Sequence, residues 1–417
     1  MERCERKIGL GVDVLTAARM RVAYVFDTFR HVYLSGPSGK DSGAMMHVVC
    51  QEARRRGRKI GVLYVDLEAQ YTATIDHVRE MFALYADVID PYWVALPLHL
   101  RNAVSMQSPF WICWDPEERE RWVRDLPPEA IADPSRFLFY REPWTKNGVR
   151  TAMEFEEFVD DFGDWYGEGE PTACFIGIRS DESLNRWRTI ASKKKTRIGG
   201  HGWTTWKGRS VFNAYPIYDW TTEDVWTYFG RERMPYNRLY DRMHQAGLTV
   251  SQMRICQPYG DDQRRGLALY HVIEPERWAR VVARVAGANS GALYAGKSGN
   301  ILGNRVVHRP TGHTWESYAR FLLSTMPQHE ADHYRLKISV FVKWYMDRGY
   351  HDGIPDEADA KLEARRKVPS WRRICRTILK NDHLCKGLSF TQTKSTAYSA
   401  YAKRQRERAR RWGTWTQ

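Results

Sequence analysis

The chain has 417 residues, 43% of them hydrophobic and 13% aromatic, which excludes a disordered polypeptide and leaves room for a large core in two or three domains. Its 64 Lys and Arg against 50 Asp and Glu give a net charge of +14, which favours polyanionic partners, nucleotides or nucleic acid, although plain solubility charge accounts for the same figure. No run of about 18 apolar residues is present, the first residues lack the apolar stretch of an export signal, and the seven Cys are scattered without a Cys-x-x-Cys pair, so neither a membrane span nor a disulfide framework is expected and the cytoplasm is the expected location.

In chain order, residues 12–29 predict a helix with Leu15, Val22, Val25 and Phe29 on one side. Residues 31–34 predict a strand that runs into Ser35-Gly-Pro-Ser-Gly-Lys-Asp-Ser-Gly43. Met45, Val49 and Ala53 then mark one face of a helix reaching about Arg56, where a basic cluster suits its C-terminal dipole. A buried strand over 59–65, a helix over 72–85 and a strand over 92–96 follow. This β-α-β-α-β order predicts an α/β fold, a Rossmann-like parallel sheet with helices on both faces and ligands at the carboxyl ends of its strands. Residues 98–150, rich in Trp, Pro and Arg, read as an irregular insertion or lid. A helix over 153–166 precedes a further strand over 173–178. Residues 192–210 have no periodicity and read as a mobile basic loop containing Lys193, Lys194, Lys195, Arg197 and His201. Residues 222–229 predict a short helix capped by Thr222. From about residue 256 the pattern is mostly helical, with Tyr334, Ile338, Phe341 and Tyr345 on one stripe, and the tail 403–411 is strongly basic. The expected division is an α/β domain over 1–255 and a mostly helical domain with a basic tail over 256–417.

The 35–43 segment has the layout of a phosphate cradle. Small residues let successive N–H groups point into one concavity, and the next helix brings its positive end there. Lys40 adds a charge and Ser42 a hydroxyl. A surface turn made by Gly36, Gly39 and Gly43 is the plainer reading. The loop is not a Walker A, because Asp41 follows Lys40 and the required spacing is absent. Further on, Val65-Asp-Leu-Glu68 ends a strand, where acidic side chains face a ribose, an adenine edge or a metal held by phosphates, or simply cap a loop. Arg179, in Gly177-Ile-Arg-Ser-Asp-Glu-Ser183, sits at a strand end suited to clamping phosphate oxygens.

The loop resembles the Ser-Gly-Gly-Lys-Asp-Ser pyrophosphatase (PP) loop of the adenine nucleotide alpha-hydrolase superfamily, which includes phosphoadenosine-phosphosulfate (PAPS) reductases. Pro37 and Ser38 depart from it; Gly39, Lys40, Asp41 and Ser42 match. Residues 177–188 are similar to the family's G-x-R-x-x-E-S-x-x-R motif, with Glu182 and Arg186 in place. The stretch 215–226, with Trp220 and Trp226, is similar to its P-I-x-x-W-x-x-x-D-V-W signature, and 234–240 extends the match. The resemblance implies binding of ATP (favoured) or PAPS with Mg2+, with Lys40, Asp41 and Arg179 as catalytic groups. It implies nucleotide contacts from Ser35, Gly36, Ser38, Gly39, Lys40, Ser42, Asp66, Glu68, Arg179, Glu182 and Arg186, and metal or ribose organised by Asp41 or Asp66. A reductase also needs the family's Glu-Cys-Gly-x-His motif, which is missing; Cys385, near His383 and Lys386, is the nearest candidate thiolate, with an inert Cys the plainer reading. No ligand spacing for an iron–sulfur cluster is present around Cys256, Cys375 and Cys385. Residues 254–263 resemble a subgroup described as prophage gene-expression co-activators (immunoglobulin-binding-regulator A type). That implies a ParB/sulfiredoxin-like protein partner and a role in phage-related regulation or defence. The +14 charge, the basic loop and tail, and the Pro37 and Ser38 departures support an alternative, a catalytically impaired nucleotide-sensing regulator that binds DNA or RNA.

Overall fold

The computed structural model describes residues 11–105, 108–146, 149–192, 195–250, 252–260, 267, 269–288, 308–326, 328–379, 382 and 385–390. The chain divides into two compact units, one within residues 1–289 and one spanning 290–395.

The first unit is built on a six-stranded sheet in the order β3-β2-β1-β8-β10-β9. Its strands are β1 (His31–Ser35), β2 (Ile60–Val65), β3 (Ile89–Val94), β8 (Thr172–Phe175), β9 (Thr204–Gly208) and β10 (Val211–Ala214). All neighbours pair in parallel except β9, which runs antiparallel to β10 at the edge. Side chains alternate across the sheet. Val32, Leu34, Val62, Ala173, Phe175 and Ala214 pack on one face against α1 (Val14–Thr28), α2 (Lys40–Arg56) and α6 (Thr222–Glu232). On the other face Tyr33 meets Phe162 and Tyr166 of α4 (Phe155–Tyr166), with ring centroids 5.4 and 5.6 Å apart. Ile75 and Val78 of α3 (Thr72–Leu84) close over Tyr64 and Trp93. Local chemistry sets the helix ends. Asp13 accepts the N–H groups of Leu15 and Thr16 to start α1, and Gly57, at φ 61°, ends α2 in the left-handed conformation that glycine enters freely.

From β1 the chain winds out to β2 and β3, then returns past β1 to β8 and β10. The carboxyl end of β1 is therefore the point where strand order reverses, and crevices for ligands form there.

Four expectations change. The third strand lies at Ile89–Val94, three residues earlier than its apolar end suggests. Residues 204–208, read as part of a mobile loop over 192–210, form β9 and pair with β10 in a hairpin. Its Lys207 and Gly208 break the alternation, but an edge hairpin with one buried side needs little apolar sequence. The cap of α6 is Thr221, whose hydroxyl accepts from the Asp224 N–H while the Asp224 carboxylate accepts from the Thr221 N–H. The insertion is ordered. β4 (Leu98–Arg101) pairs with β5 (Phe110–Cys113), and β6 (Trp144–Lys146) with β7 (Val149–Thr151).

Two buried carboxylates pin this insertion. Asp66 accepts from Trp93 Nε1 at 3.0 Å, from the Glu68 N–H at 3.0 Å and from Arg124. Glu68 accepts from the N–H groups of Trp114 and Val123 at 2.8 and 3.1 Å. It also takes a bidentate pair from Arg284, at 2.7 and 3.0 Å. Arg284 lies on α9 (Pro275–Arg284), which follows α8 (Leu269–Ile273). Both carboxylates are 0% exposed.

In the second unit, helices Trp315–Thr325, Gln328–Met346 and Trp371–Leu379 surround a core of Trp315, Tyr334, Ile338, Phe341, Ile374 and Cys375. Of the expected stripe, Tyr334, Ile338 and Phe341 are buried there and Tyr345 packs against it half-buried. The basic tail 403–411 lies outside the described residues, as do Lys193, Lys194 and His383. No helix among the described residues is long and apolar enough to cross a membrane.

Removing one member of a buried ion pair strands the other charge, so Arg284→Met is expected to lower stability by about 3–5 kcal/mol in urea unfolding followed by fluorescence. A loss below about 1 kcal/mol contradicts the pinning role of Glu68.

Candidate functional site

At the end of β1, Gly36 turns the chain with φ 74°, and its N–H donates to the Leu63 carbonyl of β2 at 2.9 Å. Gly39 caps α2 without a side-chain hydrogen bond. The N–H groups of Ser38, Gly39, Asp41 and Ser42 meet no acceptor among the described residues, so the loop presents several open donors beside a helix N-terminus. Neighbours hold it in place. Tyr240, on α7 (Leu239–Gln245), accepts from the Lys40 N–H at 3.0 Å. The Asn237 amide donates to the Ser38 carbonyl at 3.0 Å and to Thr74 Oγ1 at 3.1 Å. Ser42 Oγ donates to the Gly39 carbonyl at 3.3 Å. Beyond β8, Gly177 approaches so closely that a Cβ there would lie 2.7 Å from both N and Cα of Ser42.

The charges converge on one carboxylate. Lys40 Nζ lies 3.1 Å from Asp41 Oδ2, and Arg179 Nε lies 2.5 Å from Asp41 Oδ1. Arg179 Nη1 also donates to the Trp220 carbonyl at 3.4 Å. Lys40 is 7% exposed and Arg179 2%. Two nearly buried cations thus share a single anion beside the positive end of α2. Uncompensated buried charge is costly, and this triplet carries one more cation than carboxylate beside a positive helix end.

The structure therefore brings together Ser35, Gly36, Ser38, Gly39, Lys40, Asp41, Ser42 and Arg179. Asp66 and Glu68, expected at the ribose or a metal, instead give their oxygens to the ion pairs with Arg124 and Arg284. Glu182 and Arg186 pair with each other at 3.6 Å on the rim, around the start of α5 (Leu184–Ala191), which buries no residue. Lys195 is tied to the carbonyls of Thr189 and Gly202 at 2.6 and 2.9 Å, and burial, then the charge of Arg197, lowers its ammonium to about 8. His201 stacks on Trp203, with centroids 5.2 Å apart. No group of three His, Cys, Asp or Glu side chains with metal-binding geometry occurs among the described residues. Cys385 is buried in the second unit, and burial, then the charge of Asp382, pushes its thiol up to about 12. Sequence reasoning assigned no role to Asn237, Tyr240 or Gly177. Asn237 carries a local signal, since it accepts from the Leu239 N–H at 2.9 Å as a helix-start residue does.

Gly177→Ala forces backbone apart at Ser42. The expected outcome is a loss of about 1–3 kcal/mol in thermal unfolding; an unchanged midpoint contradicts the close approach.

Residues 143–254 match the phosphoadenosine phosphosulfate reductase domain, and 247–351 and 350–398 match a domain of unknown function, DUF3440. The chain is 43% identical over 410 residues to the uncharacterized protein YbdN of Escherichia coli K12, covering 98% of both chains. It is 23% identical over 138 residues to an adenosine 5'-phosphosulfate reductase of Halalkalibacterium halodurans, covering 28% of this chain and 54% of that protein. A crystal structure of PAPS reductase from Candida auris aligns at 15% identity and a TM-score of 0.27 over 54% of this chain and 84% of that one. The chain belongs to the family of YbdN, and in this chain a PAPS reductase-like PP-loop domain precedes a DUF3440 region.

Proposed function

We propose that the cradle at 35–42 binds the polyphosphate of ATP and that the protein transfers the adenylyl group to an acceptor. The observation that carries this reading is the pair of buried cations, Lys40 and Arg179, with only Asp41 between them, facing open N–H donors at the start of α2. An acceptor lone pair attacks the α-phosphorus. The bond from that phosphorus to the α–β bridging oxygen breaks, the oxygen leaves on pyrophosphate, and the acceptor's proton passes to solvent. With water as acceptor the products are AMP and pyrophosphate. The open N–H groups and Ser42 hold the leaving pyrophosphate, and Lys40 and Arg179 offset the charge that grows on it. Mg2+ enters as part of the nucleotide substrate, and Asp41 is the carboxylate the cradle itself offers it.

Reduction of PAPS is the other reading, and the matched reductase domain supports it. It requires a thiolate, and the proposed nucleophile Cys385 is held as a thiol by burial. The acceptor belongs to nucleic-acid modification or phage-related regulation, with a ParB/sulfiredoxin-like partner. The resemblance of residues 254–263 and the net charge of +14 support that setting.

Incubation with MgATP and chromatography of the products tests the chemistry. Lys40→Ala and Arg179→Ala are each expected to lower pyrophosphate release by about 100-fold or more. Full release from Lys40→Ala contradicts the assignment. Asp41→Asn removes the internal counter-ion, so in the absence of divalent ions it is expected to bind inorganic pyrophosphate about tenfold more tightly by calorimetry. Weaker binding means that Asp41 orders the cradle rather than competes for it.

A further inference from the structure

A second cavity, of about 340 Å³, lies on the α4 face of the sheet. Its floor is a row of polar side chains in register on three adjacent strands: Tyr33 opposite Cys174, and Cys174 opposite Asn213. Their neighbours Val32, Leu34, Ala173, Phe175 and Ala214 point into the core on the opposite face, as the alternation of a strand requires. The cavity reaches Val211 and the Gly208–Arg209 turn, at the amino end of β10, whereas the cradle sits at the carboxyl end of β1.

Asn213 is the informative residue. Asn is disfavoured inside strands, and this one is 7% exposed. Its side-chain amide hydrogen-bonds to none of the described residues, yet it lines the cavity. With no protein partner, this amide is left to bond whatever occupies the cavity it lines.

The walls say what that is. Four carboxylates, those of Glu156, Asp160, Asp161 and Asp164, line the cavity against two cations, Lys207 and Arg209. Lys207 Nζ lies 3.5 Å from Asp160, and Arg209 Nη1 lies 3.2 and 2.9 Å from Asp161 and Asp164. The lining is thus net negative in a chain of net charge +14. Val159, Ile176 and Val211 add apolar surface.

We propose that this cavity binds a small aliphatic amine of the diamine or polyamine class. An ammonium has three donors and no acceptor, which suits the Asn213 carbonyl oxygen and the Glu156 carboxylate, and a methylene stem suits the apolar wall. The volume falls in the range of small-ligand pockets. The proposal does not depend on the nucleotide reading.

Spermidine and putrescine titrated calorimetrically into the full chain without nucleotide test it, with hexane-1,6-diol as the uncharged control. The expected result is saturable one-to-one binding of the amines and none of the diol. Asn213→Leu and Glu156→Gln each weaken binding about tenfold or more, and Asn213→Asp strengthens it. No saturable heat, diol binding equal to that of the amines, or unchanged affinity in both weakening variants overturns the proposal. If Asn213→Leu fails to fold by circular dichroism, Glu156→Gln and Asp160→Asn decide the question on the same criterion.

Discussion

Lys40 and Arg179 are held almost out of water at the start of α2, with the Asp41 carboxylate as the anion between them. Everything around this triplet works to keep it there. The β1–α2 turn needs Gly36 at positive φ, the Gly177 backbone lies against Ser42, and Tyr240 and Asn237 tether the loop from α7. Because β1 is where strand order reverses, the helix N-terminus and the Arg179 loop meet in one crevice without competing for space. The positive surplus there is what the proposed polyphosphate would neutralise, its oxygens accepting from the open N–H groups.

Much of this was legible in the sequence. The alternation of β-rich runs with helical periods from His31 to Leu84 is strong, and the central strands and helices appear where the pattern puts them. The cradle was legible because glycine spacing and a strand–turn–helix layout are local features. The β9–β10 hairpin was not, since Thr204–Gly208 carries Lys and Gly and has no clear alternation. Asp66 and Glu68 misled for a different reason. Residue type and position at a strand end suit a ligand site, but the partners that claim them, Arg124 and Arg284, lie 58 and 216 residues further along the chain. Only the fold brings those charges together, and it uses them to fasten the insertion to the sheet.

The two faces of the sheet also divide the chemistry. The α1–α2–α6 face is a dry core of aliphatic and aromatic side chains. The α4 face carries phenol, thiol and carboxamide groups in register, and leaves Asn213 for something other than the protein to satisfy. A cation-rich cluster and an anion-rich cavity thus occur in one unit, one at the carboxyl end of β1 and one along the other face of the sheet.

The most direct test of the central claim is phosphorus-31 NMR of ATP titrated with the intact chain. The account predicts that the phosphate resonances shift or broaden on binding and that inorganic pyrophosphate reverses the effect. Resonances that stay unchanged at a stoichiometric excess of protein contradict it, and leave the cations around Asp41 as a structural ion triplet.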